Sequence, residues 1–133
     1  MPNVAQVMRR ELKKIAHDTP IREAAKRMRD ERIGSLFVEK DNKLVGIVTE
    51  TDVVRRGVAE GSDLGKATVQ SVMTTPIASI ESIRTMQDAH DMMADLGVRH
   101  LGVTEGGKLV GLVSVRDLLV YFKRVSEPKI TQD

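Results

Sequence analysis

The chain has 133 residues, of which 41% are hydrophobic and 30% charged, enough for one compact domain or two small halves that share a core. It has no cysteine, which excludes a disulfide framework and a thiolate metal site, and its three histidines form no paired ligand pattern, so no metal is expected. The net charge of +2 conceals a basic first half that would attract nucleic acid or a small phosphorylated ligand, but with only Phe37, Tyr121 and Phe122 as aromatic residues a nucleic-acid partner is not expected.

The amino-terminal stretch MPNVAQVMRRELKK lacks the apolar run of a signal peptide. No segment of the chain approaches the ~18 consecutive apolar residues of a membrane span. The sequence therefore predicts a cytoplasmic protein with no membrane contact.

The first half of the chain predicts a β-α-β-β-α order. A short apolar strand at residues 14–17 precedes a helix in DTPIREAAKRMRDE, with Thr19 predicted as N-cap and Pro20 as the first helical residue. Two strands are expected in SLFVEKDNKLVGIVT around a turn at Asp41-Asn42, and a second helix begins in ETDVVRRGVAE. The core face of the first helix is marked by apolar residues at helical spacing, namely Ile21, Ala24, Ala25 and Met28.

The second half predicts the same order again. A short apolar segment at residues 78–82 precedes the helix TMQDAHDMMADLG, in which Thr85 and Asp88 form a variant of the capping box. Two strands lie in HLGVTEGGKLVGLVS around Gly106-Gly107, and the last helix is VRDLLVYFKRV. The first of these helices is expected to pack its core through Met86, Ala89, Met92, Met93 and Leu96.

A shift of 65 residues aligns the two halves without a gap, carrying Val7-Met8 onto Val72-Met73 and KLVGIVTETD onto KLVGLVSVRD. Chance seldom aligns apolar, glycine and acidic positions together over half a chain. We therefore predict an α+β fold of two tandem repeats, residues 4–60 and 69–125, with a flexible glycine-rich connector at 61–68 and a frayed tail at 126–133. Because a unit of about 60 residues is marginal alone, the repeats are expected to pack about a pseudo-twofold axis, with two clefts between them.

Each half closes with a hydroxyl and a carboxylate three residues apart, Thr49 with Asp52 and Ser114 with Asp117. In the first turn of a helix the carboxylate is favoured by the helix dipole and stays ionised. One interpretation is helix capping, since Ser, Thr and Asp begin many helices. The other is a ribose site, because a carboxylate accepts hydrogen bonds from two vicinal hydroxyls. The motif occurs twice in register with a glycine and a strand, which favours a binding architecture.

The whole pattern resembles the CBS-domain family, named after cystathionine β-synthase, and the pair resembles a Bateman module. The marks are VM at the start of each half, the first helices TPIREAAKRM and TMQDAHDMM, and the closing motifs GIVTETD and GLVSVRD, over about Val4 to Lys123. The resemblance implies a regulatory protein with no required cofactor, which binds AMP, ADP, ATP or S-adenosylmethionine in clefts between the repeats. It also implies a homodimer and a separate regulated protein.

The resemblance further implies which residues line the clefts. In one cleft Asp117 would hold the ribose hydroxyls while Leu112 and Ala24 bracket the adenine, and the remaining members are Ser114, Arg116 and Thr19. The other cleft would use Ile47, Thr49, Thr51 and Asp52 with Arg84 and Ala89. Arg99 and His100 are expected to contact phosphate, although His100 is open to interpretation as a satisfied strand-end residue. Arg9, Arg10 and Lys14 are further cations to which spacing assigns no role.

Two departures from symmetry indicate that the clefts are not equal, and we expect the Asp117 cleft to be the better nucleotide site. Arg84 stands in the second repeat where Thr19 stands in the first, which would narrow or block the cleft that contains it. Arg116 replaces the small residue often found before the aspartate and would crowd the adenine edge, so equal sites are not expected.

Two functions stay open at this level. The first is a stand-alone module that senses an adenosyl ligand, with AMP, ATP, NAD and S-adenosylmethionine as alternatives. The second is a ligand-free dimerisation or interaction module with degenerate pockets. An enzyme is not expected, because the sequence has no cysteine nucleophile, no GxSxG, no GxxxxGK[ST] and no close acidic pair with a base.

Overall fold

The computed structural model describes residues 2–126, which form two compact units. One comprises residues 12–78, and the other comprises residues 2–11 together with 79–126. We call them the Asp52 unit and the Asp117 unit, after the motif aspartate that each contains. The predicted tail lies outside the described residues from 127 onward. Within residues 2–126 no helix is both long and apolar enough to cross a membrane.

The Asp52 unit has the predicted β-α-β-β-α order. Its elements are β1 (Lys14–Ala16), α1 (Ile21–Glu31), β2 (Ser35–Lys40), β3 (Lys43–Thr49) and α2 (Glu50–Asp52), which continues as a π-helical segment (Val53–Val58) and is followed by a 3-10 turn (Val69–Ser71). In the sheet, β1 runs parallel to the central β2 and β3 runs antiparallel to it. The hydrophobic core comprises Ile15, Ile21, Ala24, Met28, Leu36, Val38, Val48, Val53, Val69 and Val72.

The Asp117 unit repeats this architecture. Its elements are a 3-10 turn (Val4–Gln6), β4 (Ser79–Glu81), α3 (Met86–Leu96), β5 (His100–Glu105), β6 (Lys108–Ser114) and α4 (Val115–Ser126). The sheet order is β4-β5-β6, parallel and then antiparallel. The predicted capping box of α3 is confirmed, since the Thr85 hydroxyl accepts a hydrogen bond from the Asp88 amide at 3.0 Å. Leu96, predicted in the core, is instead 53% exposed at the end of α3.

Both predicted hairpins are confirmed as two-residue loops. Asp41 and Asn42 have φ of 52° and 62°, and Gly106 and Gly107 have φ of 59° and 77°. Two successive left-handed residues match the twist of the flanking strands. Each hairpin also carries a bulge at the same place, between residues 38 and 39 and between residues 103 and 104, so the repeat extends to its irregularities.

The start of α1 differs from the prediction. Pro20, not Thr19, is the N-cap, and no side chain caps this helix. Its first two amides, of Ile21 and Arg22, instead donate to the carbonyls of Ala67 and Leu64 at 2.9 and 3.0 Å. The connector predicted to be flexible is therefore a hydrogen-bonded structure that satisfies the open end of α1.

The opening segment of each repeat packs on the sheet of the other repeat. The Arg9 amide donates to the Leu112 carbonyl at 2.8 Å, and the Ile47 amide donates to the Thr74 carbonyl at 3.0 Å. A Cβ on Gly111 would lie 2.7 Å from the Arg9 carbonyl oxygen. Only glycine admits a backbone this close, which explains the glycine in the doubled motif.

Candidate functional site

The Asp117 carboxylate lies in the first turn of α4, directly after β6. Its Oδ2 accepts hydrogen bonds from the Ser114 amide at 2.9 Å and from the Ser114 hydroxyl at 3.0 Å. The strand end and the helix start thus fix one carboxylate oxygen. The other oxygen, Oδ1, lies 3.7 Å from Nε of Arg9.

Arg9 reaches this carboxylate because residue 9 is paired with Leu112 on β6. The pairing has two backbone hydrogen bonds, of 2.8 and 2.9 Å. The Arg9 side chain is 51% exposed and that of Asp117 is 12% exposed. We call the motif aspartate of a unit and the side chains that contact it a half-site, so that the Asp117 half-site consists of Asp117, Ser114 and Arg9. It presents a half-exposed cation beside a mostly buried carboxylate.

The Asp52 carboxylate occupies the corresponding place in its own unit but is more fully bonded. Its Oδ2 accepts from the Thr49 amide at 3.0 Å, completing a capping box with the Thr49 hydroxyl. The Thr74 hydroxyl lies 3.0 Å from Oδ1 and 3.2 Å from Oδ2. Arg56 Nε lies 3.9 Å away, and the Asp52 side chain is only 7% exposed.

Arg9 and Thr74 are the two contacts that spacing alone did not assign. Both follow the VM dipeptide directly, so the 65-residue shift carries one onto the other. Each contacts the motif aspartate of the opposite repeat, at 3.7 Å for Arg9 and at 3.0 Å for Thr74. The 65-residue register relates these two positions in the sequence. It does not show that each residue contacts the aspartate of the opposite repeat, because that contact arises only when each opening segment packs on the sheet of the other repeat.

The two residues predicted to contact phosphate, Arg99 and His100, lie next to the strand end and helix start that hold Asp117. His100 pairs with Ser114 across β5 and β6. The carbonyl of Arg99 accepts from the Val115 amide at 2.9 Å, so the exposed Arg99 lies beside the start of α4. Arg116 is exposed in the first turn of α4. These residues share the Asp117 unit with Leu112, Ser114 and Arg9.

The other predicted residues lie as follows. In the Asp52 unit, Ile47 is buried and Thr51 is exposed, while Thr19 is half-buried and its carbonyl accepts from the Val69 amide at 2.9 Å. Ala24 is fully buried in the core of that unit, one helical turn from Met28. In the Asp117 unit, Ala89 is also fully buried. Arg84 is exposed and lies 3.9 Å from Asp88, an exposed pair of small energetic weight.

Comparison with known proteins identifies the family of the two repeats. The CBS domain family model matches residues 4–59 and 69–124. The chain is 31% identical over 120 residues to the CBS domain-containing protein YhcV of Bacillus subtilis, covering 90% of this chain and 85% of the relative.

Solved structures match along nearly the whole chain. A protein with CBS domains from Burkholderia ambifaria MC40-6 has a TM-score of 0.88 at 28% identity, covering 97% of this chain and 99% of that one. A hexameric CBS-CP12 protein from bloom-forming cyanobacteria has a TM-score of 0.82 at 27% identity, covering 96% and 76%. With two matched domains and the same fold in each unit, this chain belongs to the CBS-domain family and carries two CBS domains in tandem.

Proposed function

We propose that the chain is a regulatory module that binds an adenosyl ligand and passes the signal to a separate protein, with the Asp117 half-site as its working site. One observation carries this proposal. Ser114 fixes Oδ2 of Asp117, whereas among residues 2–126 the partner of Oδ1 is Arg9, in a long ion pair of 3.7 Å. A ribose hydroxyl can therefore reach a fixed carboxylate by displacing a contact longer than a hydrogen bond.

The Asp52 half-site is the weaker candidate. A ligand hydroxyl there would have to displace the Thr74 hydroxyl, which lies 3.0 Å from Oδ1. It would also have to enter a side-chain environment that is only 7% exposed. Breaking a good hydrogen bond to form another gives little net gain. We therefore expect one ligand per chain, bound at the Asp117 half-site, at ligand concentrations too low to fill the weaker site.

The cations around Asp117 support a phosphorylated ligand. Arg99 and Arg116 are exposed beside the start of α4, and His100 adjoins them on β5. Arginine presents paired donors that fit phosphate oxygens. The proposed activity is binding and not catalysis, and any output requires that the ligand prefer one state of the protein over another.

Calorimetric titration with AMP, ADP, ATP, NADH and S-adenosylmethionine tests the proposal. Asp117→Ala should abolish the binding of whichever ligand the wild type takes. Asp88→Ala is the matched control, because Asp88 also closes a capping box in the same unit but contacts no proposed ligand. Equal binding by both variants, or retention by Asp117→Ala and loss by Asp52→Ala, would contradict the assignment.

Self-association is the second candidate function, and a specific surface favours it. On α4, Leu119 and Val125 are 64% and 62% exposed. A cavity of about 240 Å³ lies on the same face, lined by His90, Met93, Ala94, Val98, Val115, Leu118, Leu119 and Phe122. Exposed apolar patches of this kind mark contact surfaces, and a hexameric CBS-CP12 protein is among the structural neighbours.

We propose that a second copy of this chain covers the α3 and α4 face to form a homodimer. Analytical ultracentrifugation of the wild type and Leu119→Lys tests it, with Ile83→Lys as the control because Ile83 is 72% exposed outside the helices. A dimer that dissociates only in Leu119→Lys supports the proposal. A wild-type monomer, or equal association of both variants, would refute it.

A further inference from the structure

Residues 9 and 74 hold equivalent positions but differ in charge. Thr74 is neutral and donates its hydroxyl hydrogen to Asp52 at 3.0 Å. Arg9 is cationic, and its Nε lies 3.7 Å from Asp117, beyond the usual range for an N–H···O hydrogen bond. The two half-sites thus share their backbone geometry. They differ in the side chain that lies beside the carboxylate, which is a threonine at Asp52 and an arginine at Asp117.

The exposed fractions of the Arg9 and Asp117 side chains indicate which of the two can exchange its partner. Arg9 is 51% exposed and Asp117 is 12% exposed, so the cation is the more accessible of the two groups. An ion pair that is half in water is weak and screened by salt. Arg9 is therefore free to turn towards an incoming anion.

The geometry points to Arg9 as the residue that sets the charge preference of the Asp117 half-site: we infer that it selects an adenosine ligand carrying phosphate over the cationic S-adenosylmethionine. This inference rests on the proposed function of the same site. When a ribose hydroxyl takes Oδ1 of Asp117, Arg9 loses its partner. A phosphate on that ligand supplies a new one, whereas a sulfonium would bring a second positive charge beside Arg9.

The exchange leaves neither group without a hydrogen-bonding partner. Oδ1 of Asp117 passes from Arg9 to a ribose hydroxyl, and Arg9 passes from a carboxylate to a phosphate. Unphosphorylated adenosine would satisfy only the first half of the exchange. Affinity should consequently rise from adenosine to ADP, and that rise should depend on Arg9.

The test is titration of adenosine, ADP and S-adenosylmethionine into wild type, Arg9→Thr and Arg9→Gln at one fixed ionic strength. Thr copies the residue at position 74, and Gln keeps a donor at about the position of the arginine Nε while removing the charge. Either variant should weaken ADP binding by about 10- to 100-fold, the range for a lost charged hydrogen bond. Adenosine affinity should stay nearly constant and S-adenosylmethionine affinity should rise.

Arg10→Thr is the matched control. Arg10 is the adjacent cation, is 61% exposed, and pairs with Glu105 at 3.6 Å instead of with Asp117. It should bind ADP as the wild type does. If Arg9→Thr and Arg9→Gln both keep full ADP affinity while Asp117→Ala loses it, the inference fails and the proposed function stands. If wild type binds no adenosyl ligand, both fail.

Discussion

Replacing Gly111 with alanine tests the packing on which the Asp117 half-site depends. The added Cβ would lie 2.7 Å from the Arg9 carbonyl oxygen and 3.0 Å from the sulfur of Met8. The first distance is about 0.7 Å short of the 3.4 Å at which ordinary contact begins. The oxygen cannot retreat freely, because the Leu112 amide donates to it at 2.9 Å.

We expect Gly111→Ala to lower the free energy of unfolding by about 2 kcal/mol, the middle of the range for overpacking. For a chain of this size that corresponds to a fall in Tm of roughly 6 °C. The variant should also weaken ADP binding, because the opening segment carries Arg9. Calorimetric melting and titration of the same sample measure both effects.

Gly65→Ala is the matched control for that experiment. Its nearest neighbour would be the guanidinium end of Arg22 at 3.1 Å, which can move aside. We expect a Tm within a degree or so of the wild type, or slightly above it, since alanine restricts the unfolded chain. A Gly111→Ala protein with the same Tm as the wild type would refute the close approach of the opening segment to β6.

Further predictions concern single side chains. Thr74→Val should destabilise by about 1–3 kcal/mol in urea denaturation, because Asp52 is buried and would lose its hydroxyl donor. Thr85→Ala should cost about 1 kcal/mol by removing the cap of α3. Hydrogen bonding by Lys13 lowers the pKa of Glu31, so the stabilisation is present above the unfolded pKa and disappears as pH falls through the folded one. Glu31→Gln should accordingly be less stable than the wild type at pH 7, and the difference should disappear once the pH has fallen below the lowered pKa of Glu31. A difference that stays constant as the pH falls would contradict this reasoning.

Local sequence signals determined the elements of each repeat well. The turn residues Asp41-Asn42 and Gly106-Gly107 predicted two-residue hairpins because left-handed conformation is a local property. The Thr85 capping box was equally visible because all its members lie within one turn. These features need no knowledge of distant parts of the chain.

Features that depend on long-range pairing were missed. Thr19 looked like an N-cap, but the amides of Ile21 and Arg22 bond carbonyls more than forty residues away, at Ala67 and Leu64. A local rule assigns the nearest hydroxyl and has no means of finding a distant carbonyl. The same connector looked flexible because its glycines were read without those partners.

In the candidate site too, the local hydrogen bonds were predicted from the sequence and the long-range contact was not. The pairs Thr49 with Asp52 and Ser114 with Asp117 were predicted from three-residue spacing, and their hydrogen bonds are present. Arg9 could not be placed, since nothing in its spacing shows that residue 9 pairs with Leu112. An expected ligand role for Ala24 stays a prediction, and its full burial in the core follows from its place on α1.

The exchange of opening segments has a consequence for regulation. Arg9 touches Asp117, yet the chain leads from Arg9 through Glu11 directly into β1 of the Asp52 unit, which begins at Lys14. If a ligand takes Asp117 from Arg9, the change occurs close to residues 11 and 12, one of the two places where the chain passes between the units, the other being residues 78 and 79. The proposed ligand contact and this connection belong to the same stretch of chain. We therefore expect the hydrogen-exchange rates of the β1 amides to change on ADP binding in the wild type and not in Arg9→Thr, when both proteins are saturated to the same degree. An equal change in both proteins would show that Arg9 does not carry the effect.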